Sequence, residues 1–428
     1  MTVNAIRGFN DILEVETERW HLIEATARRI FSLYGFKEVR LPALEKTELF
    51  LRSIGETTDI VEKQMYTFTD NHGDSVTLRP EGTAGAVRAF IENKLYTAPS
   101  TRLYYTGPMF RYERPQKGRF RQFYQIGAEL LGEASAKADA EVIAMLNSLF
   151  TSLSVKGLTI EINSLGCTEC RPGFKTELQK FFNTCRDNLC ENCQRRIDKN
   201  PLRALDCKSA KCIEATDDAP SILDSLCNDC GDHFGELKAR LASFNVAYTI
   251  NQRMVRGLDY YSKTAFEVTA LASADGKGGV GSQNSIAAGG RYDSLVEELG
   301  GPKTPCFGFA IGLERLSLVL SDDAVCKKLT TTVIALGKDA EKASLPIIAE
   351  LRNNGISVTM DYSYTMETPL KTRMKRANRL GADFVLILGE DELKDNILTF
   401  KDMQSGEQFK LSTAEAIEKI QRAASDDG

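Results

Sequence analysis

An α+β fold is predicted, with an antiparallel sheet flanked by helices, a mainly helical insertion and a C-terminal α/β domain. Three observations predict it. Short period-two runs separated by turn residues occur from Met65 to Arg79 and from Thr101 to Glu113. A block from Gly166 to Asn245 carries nine of the eleven cysteines and is rich in helix formers. Beyond SDDAVCKKL, the runs VIALG, SVTMDY and FVLILG read as short buried strands alternating with helical segments. The chain has 428 residues, too many for one ordinary core, and these shifts divide it into 1–165, 166–245, 246–325 and 326–428. The first and third pieces form one domain interrupted by the second.

In chain order, Glu14–Tyr34 reads as a helix with Trp20, Ile23, Ala27, Ile30 and Phe31 on one face, stopped at Gly35. FKEVRLPALE follows as extended chain, with Pro42 at an edge or a strand end. TLRPEGTA sets Glu81 beside Gly82 and Thr83, a small acidic corner suited to an ammonium group. FRYERPQKGRFRQFYQ, Phe110–Gln125, reads as a strand, a turn over Pro115–Gly118 and a returning strand. On the returning strand Ile126, Ala128 and Leu130 share a core face, and Gln125, Gly127 and Glu129 share the other. The gap at Gly127 is expected to leave room for a small ligand between an amide and a carboxylate. Arg111 and Glu113 share a face of the outgoing strand, where a guanidinium can grip a carboxylate or phosphate, and Phe123 can stack on a base. Taken alone, such a hairpin can equally present its charges to water.

Two later stretches add to the same chemistry. VRGLDYYSKTAFEV sets Arg256 near Tyr260 and Tyr261, with a structural ion pair to Asp259 or Glu267 as the alternative for Arg256. AAGGRYDSLVEELGG runs on to CFGFAIGLERL, whose glycines admit close backbone approach and whose Arg315 falls early in a helix. In the last domain helices are predicted at Ala340–Asn353 and Pro369–Leu380, and Ser412 with Glu415 forms a capping box. Lys371, Lys375 and Arg379 recur at helical spacing, with Arg373 and Arg376 nearby, as a stripe that either follows RNA phosphates or simply faces water.

Composition excludes several classes. Hydrophobic residues at 42% and charged residues at 26% are those of a globular protein. No apolar run reaches the roughly 18 residues of a membrane span. MTVNAIRGFNDILEVETERW lacks a basic segment followed by an apolar core, so a cytoplasmic location without membrane association is expected. A net charge of −5 argues against indiscriminate nucleic-acid binding but allows a partner met by local basic patches. The three histidines fall in no catalytic motif, against Ser-His and Cys-His schemes. GKGGVG, Gly276–Gly281, matches GxGxxG but neither follows a clear strand nor opens a helix, and reads as a loop.

CTEC (Cys167, Cys170), CENC (Cys190, Cys193), CKSAKC (Cys207, Cys212) and CNDC (Cys227, Cys230) are four close pairs. In a reducing compartment this spacing suggests structural zinc on thiolates, with free thiols as the alternative. Spacing does not decide which pairs would combine.

The chain resembles the bacterial histidyl-tRNA synthetases, which are class II aminoacyl-tRNA synthetases. GFKEVRLPALE resembles the first class-defining motif, a dimer-interface segment, FRYE with RFRQF the second, and GFAIGLER the third. RGLDYY and AAGGRYD resemble the two histidine-specific signatures. The resemblance implies a homodimer that joins L-histidine to histidine tRNA with ATP and magnesium. It implies that Glu81, Thr83 and Gln125, with Gly82 between the first two, hold the substrate's amino group. It further implies that Glu129 and Tyr261 read the imidazole, and that Tyr260, Gly290 and Tyr292 close the pocket. Arg111 would bridge the substrate carboxylate and the α-phosphate, Arg119 would reach the outer phosphates, and Phe123 and Arg315 would sandwich adenine. Glu113 would lie near the base and the phosphate tail, and Arg256 would stand beside the α-phosphate where related enzymes use a metal ion. The insertion resembles the module that clamps the acceptor stem and the last domain resembles an anticodon-binding domain; the resemblance does not itself imply zinc.

Overall fold

Helix α1 (Glu14–Leu33) buries Trp20, Ile23, Thr26, Ala27, Ile30 and Phe31 along one stripe, the three-and-four spacing expected of an amphipathic helix on a sheet. It ends where Gly35 takes a left-handed φ of 79°, a conformation cheap only for glycine. The computed structural model describes residues 2–55, 58, 60–207, 209–255, 260–270, 284–324, 328–361 and 368–426. They fall into two units, Met1–Ala324 and Val325–Gly428.

In the first unit, strand β1 (Lys37–Glu38) and strand β2 (Leu44–Lys46) flank the extended Pro42 segment. Helix α2 (Thr47–Ile54), strands β3 (Tyr66–Thr69) and β4 (Ser75–Leu78), and helix α3 (Thr83–Glu92) follow. The long hairpin β5 (Thr101–Phe110) and β6 (Gln122–Leu131) leads to helix α4 (Ala136–Ser152) and strand β7 (Leu158–Ser164). Then come the insertion helices α5 (Cys170–Thr184), α6 (Glu191–Lys199) and α7 (Ala210–Ala215), and helix α8 (Asn228–Ser243). Strands β8 (Thr249–Ile250), β9 (Ser262–Ala270) and β10 (Ser285–Arg291), the short helix α9 (Leu295–Glu298), strand β11 (Cys306–Gly312) and helix α10 (Leu313–Val319) complete the unit.

The main sheet has the order β1-β5-β6-β11-β10-β9-β7-β8 and is antiparallel except for the parallel pairs β1·β5 and β7·β8 at its two edges. One face carries Ile126, Ala128 and Leu130 into a core with α1 and α4, as the alternation predicts. The other face is left for the site. Residues of α5 to α7 build a smaller core around Phe174, Leu178, Phe182, Leu189 and Ile197. Helix α8 instead lays Phe234, Leu237 and Leu241 into the main core.

The second unit comprises β12 (Thr330–Ala335), α11 (Lys338–Asn353), β13 (Ser357–Met360), α12 (Leu370–Arg379), β14 (Phe384–Leu388), α13 (Glu390–Asp395), β15 (Leu398–Asp402), β16 (Gln408–Leu411) and α14 (Thr413–Asp426). Its sheet order is β13-β12-β14-β15-β16, with β14, β15 and β16 paired antiparallel. Ser412 Oγ accepts from Glu415 N at 3.3 Å and Glu415 Oε2 accepts from Ser412 N at 2.8 Å, closing the expected capping box. On α12, Lys371, Lys375 and Arg379 are exposed, but Arg373 departs from the predicted basic stripe. It is buried and donates to the Ala335 carbonyl at 2.6 Å, fixing α12 to β12. Among the described residues no helix is long and apolar enough to cross a membrane.

Candidate functional site

The site is built on β5, β6 and the start of α3. Glu129 on β6 is fully buried, and its carboxylate collects three hydroxyl donors. Thr83 Oγ1 donates to Oε1 at 2.8 Å, Tyr105 OH donates to Oε1 at 3.1 Å, and Tyr292 OH donates to Oε2. Burial pushes the Glu129 carboxyl up to about 8, against the lowering effect of the Tyr292 and Thr83 hydroxyls and with the help of the nearby Glu81 charge. Burial likewise holds the phenols of Tyr105, Tyr260 and Tyr292 well above their ordinary range, so they remain donors.

Glu81 precedes α3 and accepts from the backbone N–H groups of Thr83 at 2.6 Å and Ala84 at 2.8 Å, satisfying donors that the first helical turn leaves without partners. Burial raises its pKa despite those bonds and the Arg111 charge. Gln125 stands one strand step above Gly127, and its Oε1 is buried with no hydrogen-bond partner among the described residues. Buried carbonyl oxygens are rarely left so, which makes this one an acceptor waiting for a donor.

The sequence expectation of ligand space at Gly127 is corrected, because the Tyr105 ring fills that gap. Tyr105 lies directly opposite Gly127 in the strand pair, and a Cβ at 127 would stand 2.2 Å from Tyr105 Cζ. Gly82 yields to the same ring, with 2.1 Å from its notional Cβ to Tyr105 Cε2. Two glycines thus admit the tyrosine that braces Glu129. Gly290 on β10 is equally constrained, since a Cβ there would come within 2.5 Å of the Thr264 carbonyl and 3.0 Å of Tyr261 Cδ1.

The turn between β5 and β6 is tight: Gln116 and Arg119 exchange backbone hydrogen bonds of 3.0 and 2.9 Å across Lys117 and Gly118. Its arginines and aromatics are paired. Arg121 stacks on Tyr112 at 3.8 Å, and Arg111 lies over Phe123 at 5.2 Å while donating to the Pro80 carbonyl at 2.8 Å. Arg119 forms an ion pair with Glu113. From the start of α10, Arg315 reaches the turn, donating to Gly118 O at 3.2 Å and to Ser285 O at 2.7 Å. Desolvation lowers the pKa of Arg111, Arg119 and Arg315, and their crowding adds to it for Arg119 and Arg315; guanidinium groups nonetheless stay charged.

These parts surround one cleft of about 330 Å³. Glu81, Thr83, Arg111, Glu113, Arg119, Phe123, Gln125, Tyr260, Tyr261 and Arg315 line it together, from segments as far apart in sequence as Glu81 and Arg315. Glu129 and Tyr292 join it through Thr83, and Tyr260 packs edge-on to Tyr292 with centroids 5.6 Å apart. Arg256 lies outside the described residues. Sequence reasoning missed Tyr105, whose signal was a large aromatic facing a glycine in the strand register. It also missed Glu267 as a cleft residue, and Arg291, which lies under Tyr292 in an ion pair with Asp139. The cleft thus offers acceptors for a cation or N–H donor together with three guanidiniums for an anion, Arg111 standing next to Glu81.

The eight paired cysteines form two groups apart from this cleft: Cys167, Cys170, Cys227 and Cys230, and Cys190, Cys193, Cys207 and Cys212. The four sulfurs of each lie within 4.8 Å of one another.

A mostly antiparallel sheet presenting such a cleft, with a strand–turn–strand on one side and a strand–helix arginine on the other, defines a class II aminoacyl-tRNA synthetase. Comparison with known proteins specifies which. The histidyl-tRNA synthetase family model matches residues 8–172 and 175–316, and an anticodon-binding domain model matches 330–423. A Geobacter sulfurreducens protein named histidine–tRNA ligase is 52% identical over 411 residues, covering 96% of this chain and 97% of the relative. One of the same name from Syntrophotalea carbinolica is 48% identical over 425 residues, covering 99% and 98%. The crystal structure of the apo S. aureus histidyl-tRNA synthetase superposes with a TM-score of 0.78 at 34% identity, covering 98% of this chain and all of that one. The chain belongs to the histidyl-tRNA synthetase family.

Proposed function

We propose that the cleft activates L-histidine with ATP and that the enzyme then charges histidine tRNA. In the first step the histidine carboxylate attacks the α-phosphorus in line, the bond to the bridging oxygen breaks, and pyrophosphate leaves behind histidyl-adenylate. In the second, the 3′-terminal ribose hydroxyl of the tRNA attacks the acyl carbon, an adenylate phosphate oxygen takes its proton, and AMP departs. No protein nucleophile is needed, in keeping with the shortage of histidines.

The observation that carries this reading is the juxtaposition, in one cleft, of an unpartnered Gln125 Oε1, the buried Glu81 carboxylate and a cluster of guanidiniums, with Glu129 directly behind Thr83. Glu81, Gln125 and Thr83 receive the substrate ammonium; the Thr83 hydrogen is engaged by Glu129, which leaves its lone pairs for the ligand. Gly82 lets this corner close on Tyr105. Glu129 and Tyr261 read the imidazole, with Tyr260, Gly290 and Tyr292 as walls. A site that pairs both ring nitrogens rejects analogues because they leave buried polar groups unsatisfied. Arg111 bridges carboxylate and α-phosphate, Arg119 takes the outer phosphates, and Phe123 and Arg315 hold adenine, with Glu113 beside it. Arg256 supplies fixed positive charge at the α-phosphate as negative charge builds there, and losing such a contact costs on the order of 3 kcal/mol, roughly a hundredfold in rate.

Magnesium takes oxygen ligands and keeps several waters. The carboxylates of Glu113 and Glu267 in the cleft suit such an ion, which would screen the β- and γ-phosphates. The last domain and the insertion are assigned to tRNA, and a cytoplasmic location is part of the same proposal. A homodimer is supported by the exposed apolar side chains of Leu33 and Leu44 on either side of the Pro42 segment; sedimentation velocity reads it directly. Structural zinc on the insertion cysteines completes the set of metals.

The test is histidine-dependent exchange of pyrophosphate into ATP followed by charging of histidine tRNA. Both are expected, and Glu129→Ala and Arg256→Ala should fold yet lose exchange. Exchange without charging would make this a free adenylating enzyme. Absence of both in the parent protein would make it a non-catalytic relative that kept the fold.

A further inference from the structure

We infer that the insertion holds two zinc ions per chain, one on Cys167, Cys170, Cys227 and Cys230 and the other on Cys190, Cys193, Cys207 and Cys212. We infer further that the first ion positions a wall of the amino-acid pocket. The sulfur geometry points to single ions. Cys167 Sγ stands 3.7 Å from Cys170 Sγ and 3.8 Å from Cys227 Sγ, and Cys190 Sγ stands 3.9 Å from Cys207 Sγ. Four sulfurs at the usual zinc–thiolate distance of about 2.3 Å from a tetrahedral ion are separated by about 3.8 Å. A disulfide requires roughly 2.05 Å, and a four-iron cluster holds its thiolates much farther apart.

The surrounding backbone is arranged for thiolates. Cys227 N donates to Cys170 Sγ at 3.2 Å, Glu169 N to Cys167 Sγ at 3.4 Å, and Cys190 N to Cys212 Sγ at 3.1 Å. Helices α5 and α8 both begin at the first group, so their positive ends face it. Cys185 shows the contrast: its thiol lies near the Phe181 and Phe182 carbonyls and belongs to neither group.

The two sites differ in what they fasten. The second lies among α6, α7 and the segment between them, where Cys193 and Cys212 belong to the insertion's own core. The first joins the segment after β7 to the start of α8, the two places where the insertion leaves and re-enters the sheet domain. Gly166, at a left-handed φ of 63°, lets the chain turn into this site, and a Cβ there would stand 2.8 Å from Cys170 Cβ. The next residue, Arg171, donates to Leu165 O at 3.0 Å and to the backbone carbonyl of Tyr261, a residue of the cleft. An ion on Cys170 therefore fixes the helical turn that holds the Tyr261 backbone.

The experiment is metal analysis of the purified full-length protein, together with Cys170→Ser, Cys227→Ser and Cys207→Ser, and pyrophosphate exchange on each. The positioning half rests on the histidine site proposed above, whereas the metal count does not. Two zinc per chain are expected in the parent and one in each variant. Cys170→Ser and Cys227→Ser should raise the histidine KM about tenfold with the ATP KM unchanged. Cys207→Ser should leave both constants unchanged while exposing the insertion to limited proteolysis. Iron, or no metal with eight thiols freely reactive in the native parent, overturns the assignment. A normal histidine KM in a Cys170 or Cys227 variant that has lost one zinc overturns the positioning role. If one of those two fails to fold, the other and the parent's metal count still decide.

Discussion

Tyr105 and Glu129 meet through a 3.1 Å hydrogen bond that exists because the residue opposite Tyr105 has no side chain. The ring occupies the space of two absent β-carbons, at Gly82 and Gly127, and so delivers its hydroxyl to a carboxylate with no access to water. Tyr105→Phe keeps the ring and removes only the donor. Leaving a buried acceptor short of one donor costs about 1–3 kcal/mol, so the histidine KM in pyrophosphate exchange should rise roughly tenfold with the ATP KM unmoved. Gly127→Ala should be worse, since a methyl 2.2 Å from the ring forces the tyrosine out; its melting temperature should fall along with histidine binding.

The Glu129 carboxyl also makes stability depend on pH. Its pKa rises from 4.5 to about 8 on folding, chiefly through burial, so between those values the folded chain holds a proton that the unfolded chain has released. Its contribution is fully present below about 4.5 and is lost as pH rises through about 8. One such proton gives a slope of about 1.4 kcal/mol per pH unit across the window. Glu314, raised to about 7 mainly by burial, works in the same direction and remains in the variant. Urea melts without substrate should therefore show the neutral Glu129→Gln variant gaining on the parent from pH 5.5 to 8.5. Parallel curves would remove Glu129 as the source.

Features with a local period were legible in the sequence. The buried stripe of α1 and the alternation of Ile126, Ala128 and Leu130 follow from side-chain spacing within one element, and the structure keeps both. The recurring arginines and aromatics around the β5–β6 turn were visible in the same way. What failed depended on neighbours remote in sequence. A glycine on a strand announces a gap, but only the register of β5 against β6 decides that Tyr105 fills it. Helical spacing placed Arg373 near an exposed stripe, yet the carbonyl of Ala335 on the underlying strand draws it inward. Each cysteine pair was plain, but combining Cys167 with Cys227 depends on where α8 returns, sixty residues later.

Arg111 is the cleft residue whose replacement by the other cation is most informative. Its guanidinium is half-buried at the cleft wall, lies over Phe123 and donates to the Pro80 carbonyl, so position and planarity are both in use. A lysine ammonium cannot stack in that manner or give two parallel hydrogen bonds. Arg111→Lys should keep the fold and lower the rate of adenylate formation about a hundredfold in single-turnover quench-flow. A rate within threefold of the parent would show that charge alone suffices there.

Arg291 and Asp139 pair beneath the site with both side chains out of reach of solvent. Arg291 also donates to the Glu133 carbonyl at 2.9 Å and to Asp293 Oδ1 at 3.0 Å, while His233 Nε2 lies 2.9 Å from Asp139. Removing one member strands a buried charge, so Asp139→Ala should cost about 3–5 kcal/mol in urea melts. Removing both ions costs less, because two desolvation penalties disappear together, and Asp139→Leu with Arg291→Met should recover much of the loss. His233 keeps Thr264 Oγ1 at 3.2 Å as a partner in that double variant. Recovered stability need not restore activity. Tyr292 follows Arg291 directly and donates to Glu129, so the fan of hydrogen bonds from Arg291 fixes the backbone that aims this hydroxyl. The double variant should therefore fold well and still bind histidine more weakly. Full recovery of histidine affinity would reduce the buried ion pair to a matter of stability alone.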